Sequence, residues 1–498
     1  MFILGRGEFL KLAERGKVAP LVYRREVGSE TPFSALCKLR GASPRRRRRS
    51  VCLLESAGGS PRLTEYSFLG LQPFAEVRFK DFTAKVWGGE KTTLLRGNPF
   101  PILRDLTARY APPTVDLPIP FWGGAMGFLS YDIARYIERL PTWAQDDLAL
   151  PEFHFIFPLV LLVFDHGRRE LYISINQPVE EPRRAYEGAK EKLDWVLGRL
   201  DERAIFPEGF AVSGGDGASN FTREGFGEVV ERIKEYIRAG DVYQVNISQR
   251  LQLPFSGDSF ALYQRLREIN PSPFAVYLDF VDFQLVSSSP ERLIMLRDGV
   301  AQTRPIAGTR RRGENLKEDD FLSSDLILSE KERAEHIMLV DLERNDLGRV
   351  CDYGSVRVNE LMVLEKYSHV IHIVSNVVGK LYGDKDQFDL AKAMFPGGTI
   401  TGCPKVRCME IIEELEPVRR GPYTGSIGYF GFNGNMDMNI IIRTFVIKDK
   451  MAYIQAGSGV VFDSQPDREY FESLSKAEAL LRALGVQKGR VEWEKLST

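Results

Sequence analysis

Short apolar runs broken by glycine and proline fill the first third of the chain. Residues 51–56, 66–71, 74–80 and 82–87 each have the length and composition of a strand, and residues 123–132 have those of a strand followed by a turn. Few apolar positions in this region recur at helical spacing. The pattern therefore predicts a β-rich region that extends to about residue 165.

Helical periodicity becomes clear further along the chain. A polar stretch at 180–203 predicts a helix, and a segment rich in glycine, serine and aspartate at 209–220 predicts a linker. Thr222 is a suitable N-cap for a second helix that ends at Gly240. From there to about residue 484 the pattern alternates between strands and helices.

The charge balance removes one class of partner. The 498 residues include 67 Lys and Arg against 68 Asp and Glu, a formal charge of -1, so no overall field attracts nucleic acid or an acidic membrane. The arginine run at 45–49 then predicts a solvated loop. The longest apolar stretch, 155–164, contains a proline and is about half the length that spans a bilayer. We expect a cytoplasmic protein that binds neither nucleic acid nor membrane.

Metal chemistry is limited by the scarcity of soft ligands. The five Cys form no C-x-x-C pair and the five His are scattered, which disfavours a zinc site. Two predicted helices each carry a carboxylate pair at i, i+3, namely Glu332 with Glu335 and Glu469 with Glu472. Facing pairs could hold Mg²⁺, although such a pair is more often a solvated helix face, and Lys476 could form a salt bridge with Glu472.

Three glycine-centred turns, at 303–313, 395–412 and 454–464, could present backbone N–H groups to an anion or could be plain tight turns. None completes a P-loop or a dinucleotide-binding fingerprint, and no credible hydrolase motif is present. The residues alone therefore indicate an enzyme that acts on a small anion, with magnesium as the expected metal.

Six further segments stand out across roughly residues 225–485, namely PIAGTRRRG, EKERAEHIMLVDLERNDLGRVC, YSHVIHIVSNVVG, FPGGTITGCPKVRCMEIIEELE, GPYTGSIGYF and QAGSGVVFDSQPDREYFESLSKAEAL. Together these motifs resemble the chorismate-utilising enzymes, in that family's order and at its spacing. The first third, with LLES at 53–56 and GGAMGFLSYD at 123–132, resembles the N-terminal region of anthranilate synthase component I.

The resemblance implies a mixed α/β (α+β) fold of orthogonally packed antiparallel β-sheets flanked by helices. It divides the chain into an N-terminal regulatory region at 1–208, a linker at 209–221 and a catalytic domain at 222–485, with the two main regions interleaved. Sequence pattern supports mixed strands and helices but does not by itself specify that topology.

Two positions distinguish among the reactions of this family. Water-adding members carry a lysine base where this chain has Gln244, and a neutral amide cannot take a proton from water. Aminodeoxychorismate synthase component I typically has a nucleophilic lysine where this chain has Ala307. The resemblance then implies the anthranilate synthase reaction, in which chorismate and ammonia give anthranilate and pyruvate with Mg²⁺. This is the first committed step of tryptophan biosynthesis.

The resemblance also assigns site residues by motif. Glu335 and Glu472 would ligate Mg²⁺ with Glu332 and Glu469 nearby, and Glu291 would be the general acid for the departing hydroxyl. His372 and Thr399 would serve the later elimination, His369 being the nearby histidine that only the family's alignment separates from His372. The residues expected to contact chorismate are Gly308, Thr309, Tyr423, Arg443, Gly457, Ser458, Gly459 and Lys476.

Regulation and partners are implied in the same way. A separate glutamine amidotransferase subunit would supply ammonia, since the sequence lacks the G-x-C-x-G motif of such a glutaminase. Tryptophan would inhibit at Ser56, Pro273, Phe274 and Ala275, where phenylalanine and alanine replace the family's usual Tyr-Met. Two alternatives stay open: aminodeoxychorismate synthase component I, and a non-catalytic tryptophan-sensing subunit.

Overall fold

The computed structural model describes most of the chain. The arginine run at 45–49 and His369 lie outside the described part, and no helix within that part is long and apolar enough to cross a bilayer. The described residues are 1–40, 50–60, 63–88, 91–113, 115–212, 217–366, 370–486 and 494–495.

Helices occur throughout the described residues, together with two short 3₁₀ turns at Tyr131–Tyr136 and Gly398–Ile400. The α-helices are α1 (Arg6–Ala13), α2 (Pro32–Arg40), α3 (Pro99–Tyr110), α4 (Pro182–Leu200), α5 (Arg223–Arg238), α6 (Ser259–Ile269), α7 (Leu316–Leu328), α8 (Glu330–Gly348), α9 (Gln387–Met394), α10 (Lys405–Leu415) and α11 (Pro466–Ala483).

Strands make up the rest of the regular structure, and every pairing between them except that of β11 with β25 is antiparallel in the described part of the chain. They are β1 (Phe2–Leu4), β2 (Val18–Glu26), β3 (Val51–Glu55), β4 (Tyr66–Lys80), β5 (Thr83–Gly88), β6 (Lys91–Arg96), β7 (Gly124–Leu129), β8 (Phe153–Asp165), β9 (Glu170–Pro178), β10 (Phe210–Val212), β11 (Ala218–Ser219), β12 (Gln244–Gly257), β13 (Phe274–Asp279), β14 (Phe283–Ser289), β15 (Arg292–Arg297), β16 (Val300–Thr303), β17 (Ile306–Arg311), β18 (Arg357–Lys366), β19 (Val370–Lys380), β20 (Gly402–Cys403), β21 (Ser426–Gly431), β22 (Met436–Ile440), β23 (Thr444–Lys448), β24 (Met451–Val460) and β25 (Glu494–Lys495).

The two predicted helices of the middle region are confirmed. The stretch at 180–203 forms α4, and Thr222 caps α5 by accepting a hydrogen bond from the Gly225 N–H at 3.0 Å. Gly240 follows the end of α5 with a φ of 82°, a left-handed conformation that glycine adopts readily. The segment at 209–221 also contains β10 and β11, both paired with β12, so part of the predicted linker belongs to the sheet.

The strands form one continuous system with two arms. The first arm runs in the order β1-β2-β9-β8-β4-β3-β13-β14-β23-β24-β12. The second arm runs β6-β5-β4-β8-β7-β21-β22-β15-β16-β19, and β17 and β18 also pair with β19. Because β4 and β8 belong to both arms, these two long strands join them.

A bend in β4 corrects one prediction. The runs at 66–71 and 74–80 were expected as two strands, but they form a single strand whose register shifts between Pro73 and Ala75. Gln72 has a φ of 49°, and Pro73 lies opposite Pro158 of β8. Proline contributes no N–H to the ladder, so the strand can turn here from one arm into the other.

Helices cover the outer faces of both arms. The helices α1 and α4 pack on β2 and β9, α5 and α11 pack on β24, and α8 packs on β17 and β19. The β3 strand pairs with β13 and β7 with β21, so strands from the first third lie within the sheets of the later part. The mixed class of antiparallel sheets flanked by helices is confirmed.

Candidate active site

Two candidate residues lie where the chain passes from one arm to the other. Glu291 connects β14 to β15, and Arg443 connects β22 to β23. The Arg443 carbonyl accepts a hydrogen bond from the Ser288 N–H at 3.1 Å, and the Glu291 carbonyl accepts one from the Ile440 N–H at 3.0 Å. These bonds tie the two crossings together and bring residues that are far apart in sequence to one junction.

Glu291 has the environment that a general acid requires. Its side chain is buried, with only 6% of the residue exposed, and burial raises the pKa of the carboxyl to about 7. The Thr399 hydroxyl, the Ile306 N–H and the Arg443 charge oppose that rise. The Thr399 Oγ1 is buried and lies near the Glu291 carboxyl. Its contacts within the described residues do not have the distance and angle of an ordinary hydrogen bond.

Arg443 is a half-buried cation in a left-handed backbone conformation, with a φ of 50°. Burial lowers the pKa of the guanidinium and the nearby Glu291 opposes this. Within the described part of the chain Arg443 forms no ion pair. A planar guanidinium that is held beside a buried acid can bind a carboxylate through two hydrogen bonds.

The β17 and β19 strands bring Gly308, Thr309 and His372 together. The His372 Nδ1 lies 2.9 Å from the Thr309 Oγ1 and 3.4 Å from the Gly308 carbonyl oxygen. Burial, with a smaller contribution from Arg443, lowers the pKa of His372 to about 4, so the ring is neutral at pH 7. Gly308 has a φ of 71°, a backbone conformation that strains any residue with a side chain, and a Cβ there would also displace the Glu332 Oε2, which would lie 2.9 Å away.

The face formed by β12 and β24 contributes an amide and two glycines. The Gln244 Nε2 donates a hydrogen bond to the Glu335 Oε1 at 2.7 Å, and a Cβ at Gly459 would lie 2.5 Å from that nitrogen. Gly457 and Gly459 thus leave this face open. Ser458 is fully buried opposite Ile247, which belongs to the core beneath α5, so its side chain points to the other face of the strand.

The four carboxylates of the predicted metal site differ in their burial and in the partners that they contact. Burial raises the pKa of Glu335, opposed by the Gln244 hydrogen bond, while Glu332 forms an ion pair with Arg310 at 3.2 Å. Glu472 is half-exposed and pairs with Lys476 at 3.0 Å. Glu469 is buried, and its Oε2 has no hydrogen-bond partner among the described residues.

These four carboxylates suit Mg²⁺ by the chemical type of their oxygen atoms. Within the described part of the chain no group of three or more His, Cys, Asp and Glu side chains is close enough to hold a metal. Carboxylate oxygens are nevertheless the ligands that Mg²⁺ prefers, and it usually keeps several waters or substrate oxygens. Glu335 is half-buried and Glu469 has an unpartnered oxygen, while Glu472 is held by Lys476, a contact that it would have to release in order to bind a metal.

Tyr423 and Lys476 occupy different parts of the site. Lys476 lies near enough to Glu291 and Glu335 to favour the charged form of both carboxylates. Tyr423 is buried against the Arg420 guanidinium, 5.6 Å from its ring centre, and burial raises the pKa of its hydroxyl. Arg420 donates to the backbone oxygens of Ile400 and Asn246, so Tyr423 packs on the framework behind the site.

The sequence reasoning missed Glu343. It is buried in α8, and burial together with the neighbouring Asp346 raises its pKa to about 8. The Thr303 Oγ1 lies 2.8 Å from the Leu293 carbonyl and 3.1 Å from the Glu343 Oε2. The Thr303 hydroxyl has one proton, which it donates to the Leu293 carbonyl. A protonated Glu343 can then donate its own proton to the Thr303 oxygen, so both contacts are hydrogen bonds. Its position two turns after Glu335 is the signal that could have identified it.

A separate cavity of about 570 Å³ lies between the two arms. Its lining includes Ser56 and the segment 273–275, which are the residues expected to bind tryptophan, and none of the catalytic candidates. The Ser56 Oγ donates to the Tyr66 carbonyl at 2.8 Å and lies 3.3 Å from the Pro273 carbonyl. Arg292 also lines the cavity, where it lies over the Phe274 ring.

Residues 55–482 match the family described as chorismate binding enzyme, and the chain belongs to this family. The resemblance inferred from the motifs is thus confirmed. The chain is 46% identical over 469 residues to aminodeoxychorismate synthase component 1 of Bacillus subtilis (strain 168), covering 93% of this chain and 98% of the relative. It is 41% identical over 493 residues to anthranilate synthase component 1 of Acetivibrio thermocellus, covering 97% and 99%.

Solved structures agree with this assignment. Anthranilate synthase component I from Streptococcus pneumoniae TIGR4 matches with a TM-score of 0.75 and 33% identity, covering 92% of this chain and 98% of that one. The menaquinone-specific isochorismate synthase of Escherichia coli matches with a TM-score of 0.71 at 16% identity, covering 96% and 98%. At that identity the second match concerns the fold alone.

Proposed function

We propose that the chain aminates chorismate with ammonia and releases anthranilate and pyruvate. The observation that carries this proposal is the chemistry at Gln244 and Ala307. Gln244 is a neutral amide engaged with Glu335, and Ala307 is buried on β17. Neither position offers a base to activate water or an amine to form a covalent adduct, so free ammonia is the nucleophile that needs neither.

The remaining residues have roles that follow from their surroundings. Arg443 binds a substrate carboxylate, and Glu291, with its pKa near 7, protonates the C4 hydroxyl as it leaves. His372, neutral at pH 7 and held at Nδ1, serves with Thr399 in the elimination that releases pyruvate. Gly308, Gly457 and Gly459 leave room for the ring and offer backbone groups to the ligand.

Magnesium would be held by Glu335 and Glu472, with Glu332 and Glu469 nearby. The bound ion would neutralise the ring carboxylate and hold it in place. Gln244 would orient Glu335 through its hydrogen bond, and Lys476 would have to exchange its contact with Glu472 for one with the substrate. Residues 222–485 would form the catalytic domain and residues 1–208 the regulatory one.

Aminodeoxychorismate synthase component I is the second candidate, because a relative of that name is 46% identical to this chain. That reaction also consumes chorismate and ammonia but retains the enolpyruvyl group. The two candidates therefore differ in the product and not in the substrates.

Product identification separates the candidates. The purified chain is incubated with chorismate, ammonium and Mg²⁺, and the products are resolved by chromatography and by the fluorescence of anthranilate. Anthranilate with an equimolar amount of pyruvate is the expected result. Aminodeoxychorismate without pyruvate would establish the second candidate, and tryptophan binding without any turnover would indicate a non-catalytic sensor.

Ammonia would reach the site from a glutamine amidotransferase subunit. The relatives that are named as component 1 support this, since the name implies a second component. We expect the chain alone to use ammonium and to use glutamine only when a glutaminase of that class is added. Glutamine-dependent turnover by the purified chain alone would contradict this expectation.

Tryptophan would bind in the 570 Å³ cavity, which is lined by Ser56, Pro273, Phe274 and Ala275. The cavity has room for an indole and carries both acidic and basic side chains at its walls. We expect tryptophan to inhibit the wild-type chain, and Ser56→Ala to weaken that inhibition while the uninhibited turnover changes little. Tryptophan inhibition that is unchanged in Ser56→Ala would place tryptophan elsewhere.

A further inference from the structure

Asn246 lies on the open face of β12, two residues after Gln244 and directly opposite Gly459 of β24. Alternate residues of a strand point to one side, so Asn246 faces the same space as Gln244. Its backbone is fully engaged, because its N–H donates to the Thr401 carbonyl at 2.9 Å and its carbonyl accepts from Arg420 at 2.7 Å. The side chain is therefore held in place by the strand.

The orientation of the Asn246 amide follows from the hydrogen bond that its side chain makes. The Asn246 Nδ2 lies 3.3 Å from the Thr399 carbonyl oxygen, which can only accept, so the nitrogen must face that side. The Oδ1 then points the other way, where a Cβ at Gly457 would lie 2.8 Å from it. Glycine at this position leaves the space in front of the oxygen open.

The Asn246 Oδ1 is buried and has no hydrogen-bond partner among the described residues. The neighbouring Thr399 hydroxyl is buried beside Glu291 and favours the charged form of that carboxyl, so it does not face the Asn246 oxygen as a donor. A buried acceptor without a partner is rare in folded proteins and costly to maintain, which makes the Asn246 Oδ1 a sign of an absent donor. The ligand that satisfies this oxygen must bring an N–H or O–H group.

We propose that the Asn246 Oδ1 binds the ammonia nucleophile and aims its lone pair at the ring of the substrate. The proposal rests on the function proposed above and adds the residue that positions the second substrate. Chorismate offers mainly acceptors, namely two carboxylates and an ether oxygen, and its single hydroxyl is the group that Glu291 protonates. Ammonia has three N–H groups, and an acceptor that takes one of them leaves the lone pair directed away.

The proton balance is consistent with this placement. The nitrogen lone pair forms the C2–N bond, the ring electrons shift, and the C4–O bond breaks. The hydroxyl leaves as water with the proton of Glu291, so the product carries an ammonium group and Glu291 is an anion. Return of one ammonium proton to Glu291 restores both groups. Asn246 takes no proton, and its oxygen stabilises the N–H groups as positive charge develops.

The test measures the two substrates separately. Asn246→Leu removes the acceptor at similar volume, and Asn246→Asp keeps one. We expect Asn246→Leu to raise the KM for ammonia at least about tenfold while the KM for chorismate stays within about twofold, and Asn246→Asp to restore most of the ammonia KM. Gln249→Leu is the matched control, since Gln249 is a buried amide on the opposite face of β12.

The outcomes separate this inference from the function on which it rests. Wild-type formation of anthranilate from chorismate and ammonium supports the function. An Asn246→Leu variant with an unchanged ammonia KM, or with both KM values raised together, would overturn the role of Asn246 alone. If Asn246→Leu does not fold, Asn246→Asp decides, because a more than tenfold rise in its ammonia KM would overturn the proposal. Absence of any aminated product from the wild type would overturn both.

Discussion

The Gln244 amide donates a hydrogen bond to the Glu335 carboxylate across 2.7 Å. This contact joins β12 of the first arm to α8, and it passes directly over Gly459. Gln244 is a neutral amide and cannot act as a base toward water, and its hydrogen bond fixes the direction of a proposed magnesium ligand. In the proposed function one side chain thus bears on both the nucleophile and the metal site.

Removing the Gln244 donor should weaken metal binding. In Gln244→Leu the Glu335 carboxylate loses the group that fixes its direction, and loss of such a contact typically costs about 10- to 100-fold in metal affinity. We expect the Mg²⁺ concentration for half-maximal turnover to rise by about tenfold. Gln455→Leu is the control, because it removes a buried amide of β24 that donates a hydrogen bond to Ser248 of β12. Equal Mg²⁺ requirements in both variants would contradict the metal assignment of Glu335.

The turnover should depend on the protonation of Glu291. Its pKa is raised to about 7 by burial, and the acid form is the active one, so kcat should fall as the pH rises through about 7. The measurement holds the concentration of free NH₃ constant by adjusting total ammonium. Glu291→Gln should lower kcat by about 10²- to 10⁴-fold and abolish this dependence. A wild-type kcat that is flat from pH 6 to 8 would refute the assignment.

Substrate affinity should depend on the planar shape of Arg443. Arg443→Lys keeps the charge but loses the paired hydrogen bonds to a carboxylate, so the KM for chorismate should rise by about 10- to 100-fold. Arg407→Lys is the control, because Arg407 forms half-exposed ion pairs with Asp241 and Glu410. The KM values from initial rates at saturating ammonium would show whether the two variants differ.

Glu343 should make stability depend on pH. Its folded pKa is raised to about 8 by burial, so the stability that it contributes is present below its unfolded pKa and is lost as the pH rises through about 8. Glu343→Gln cannot ionise, and we expect its Tm to gain on the wild type by a few degrees between pH 5 and 9. A Tm difference that stays constant over this range would mean that Glu343 is ionised in the folded protein.

Local structure was predictable where one segment contains its own signals. The helix α5 begins after Thr222 and ends before Gly240 because the hydroxyl caps the first turn and the glycine accommodates a left-handed φ. The runs at 66–71 and 74–80 were misjudged as separate strands. Their continuity depends on β8, which pairs with both halves across the bend at Pro73. The local sequence pattern of 66–80 contains no information about this pairing with a distant strand.

Three properties followed from the amino-acid sequence without a structure: the family, the scarcity of soft metal ligands, and the presence of residues other than lysine at positions 244 and 307. Those properties depend on residue identity alone. The tertiary structure decided that Glu291, Thr399 and Arg443 meet at the crossing of the two arms. It also decided that burial raises the pKa of Glu291, because a pKa depends on how much water the fold removes from the carboxyl and on which charges it leaves nearby.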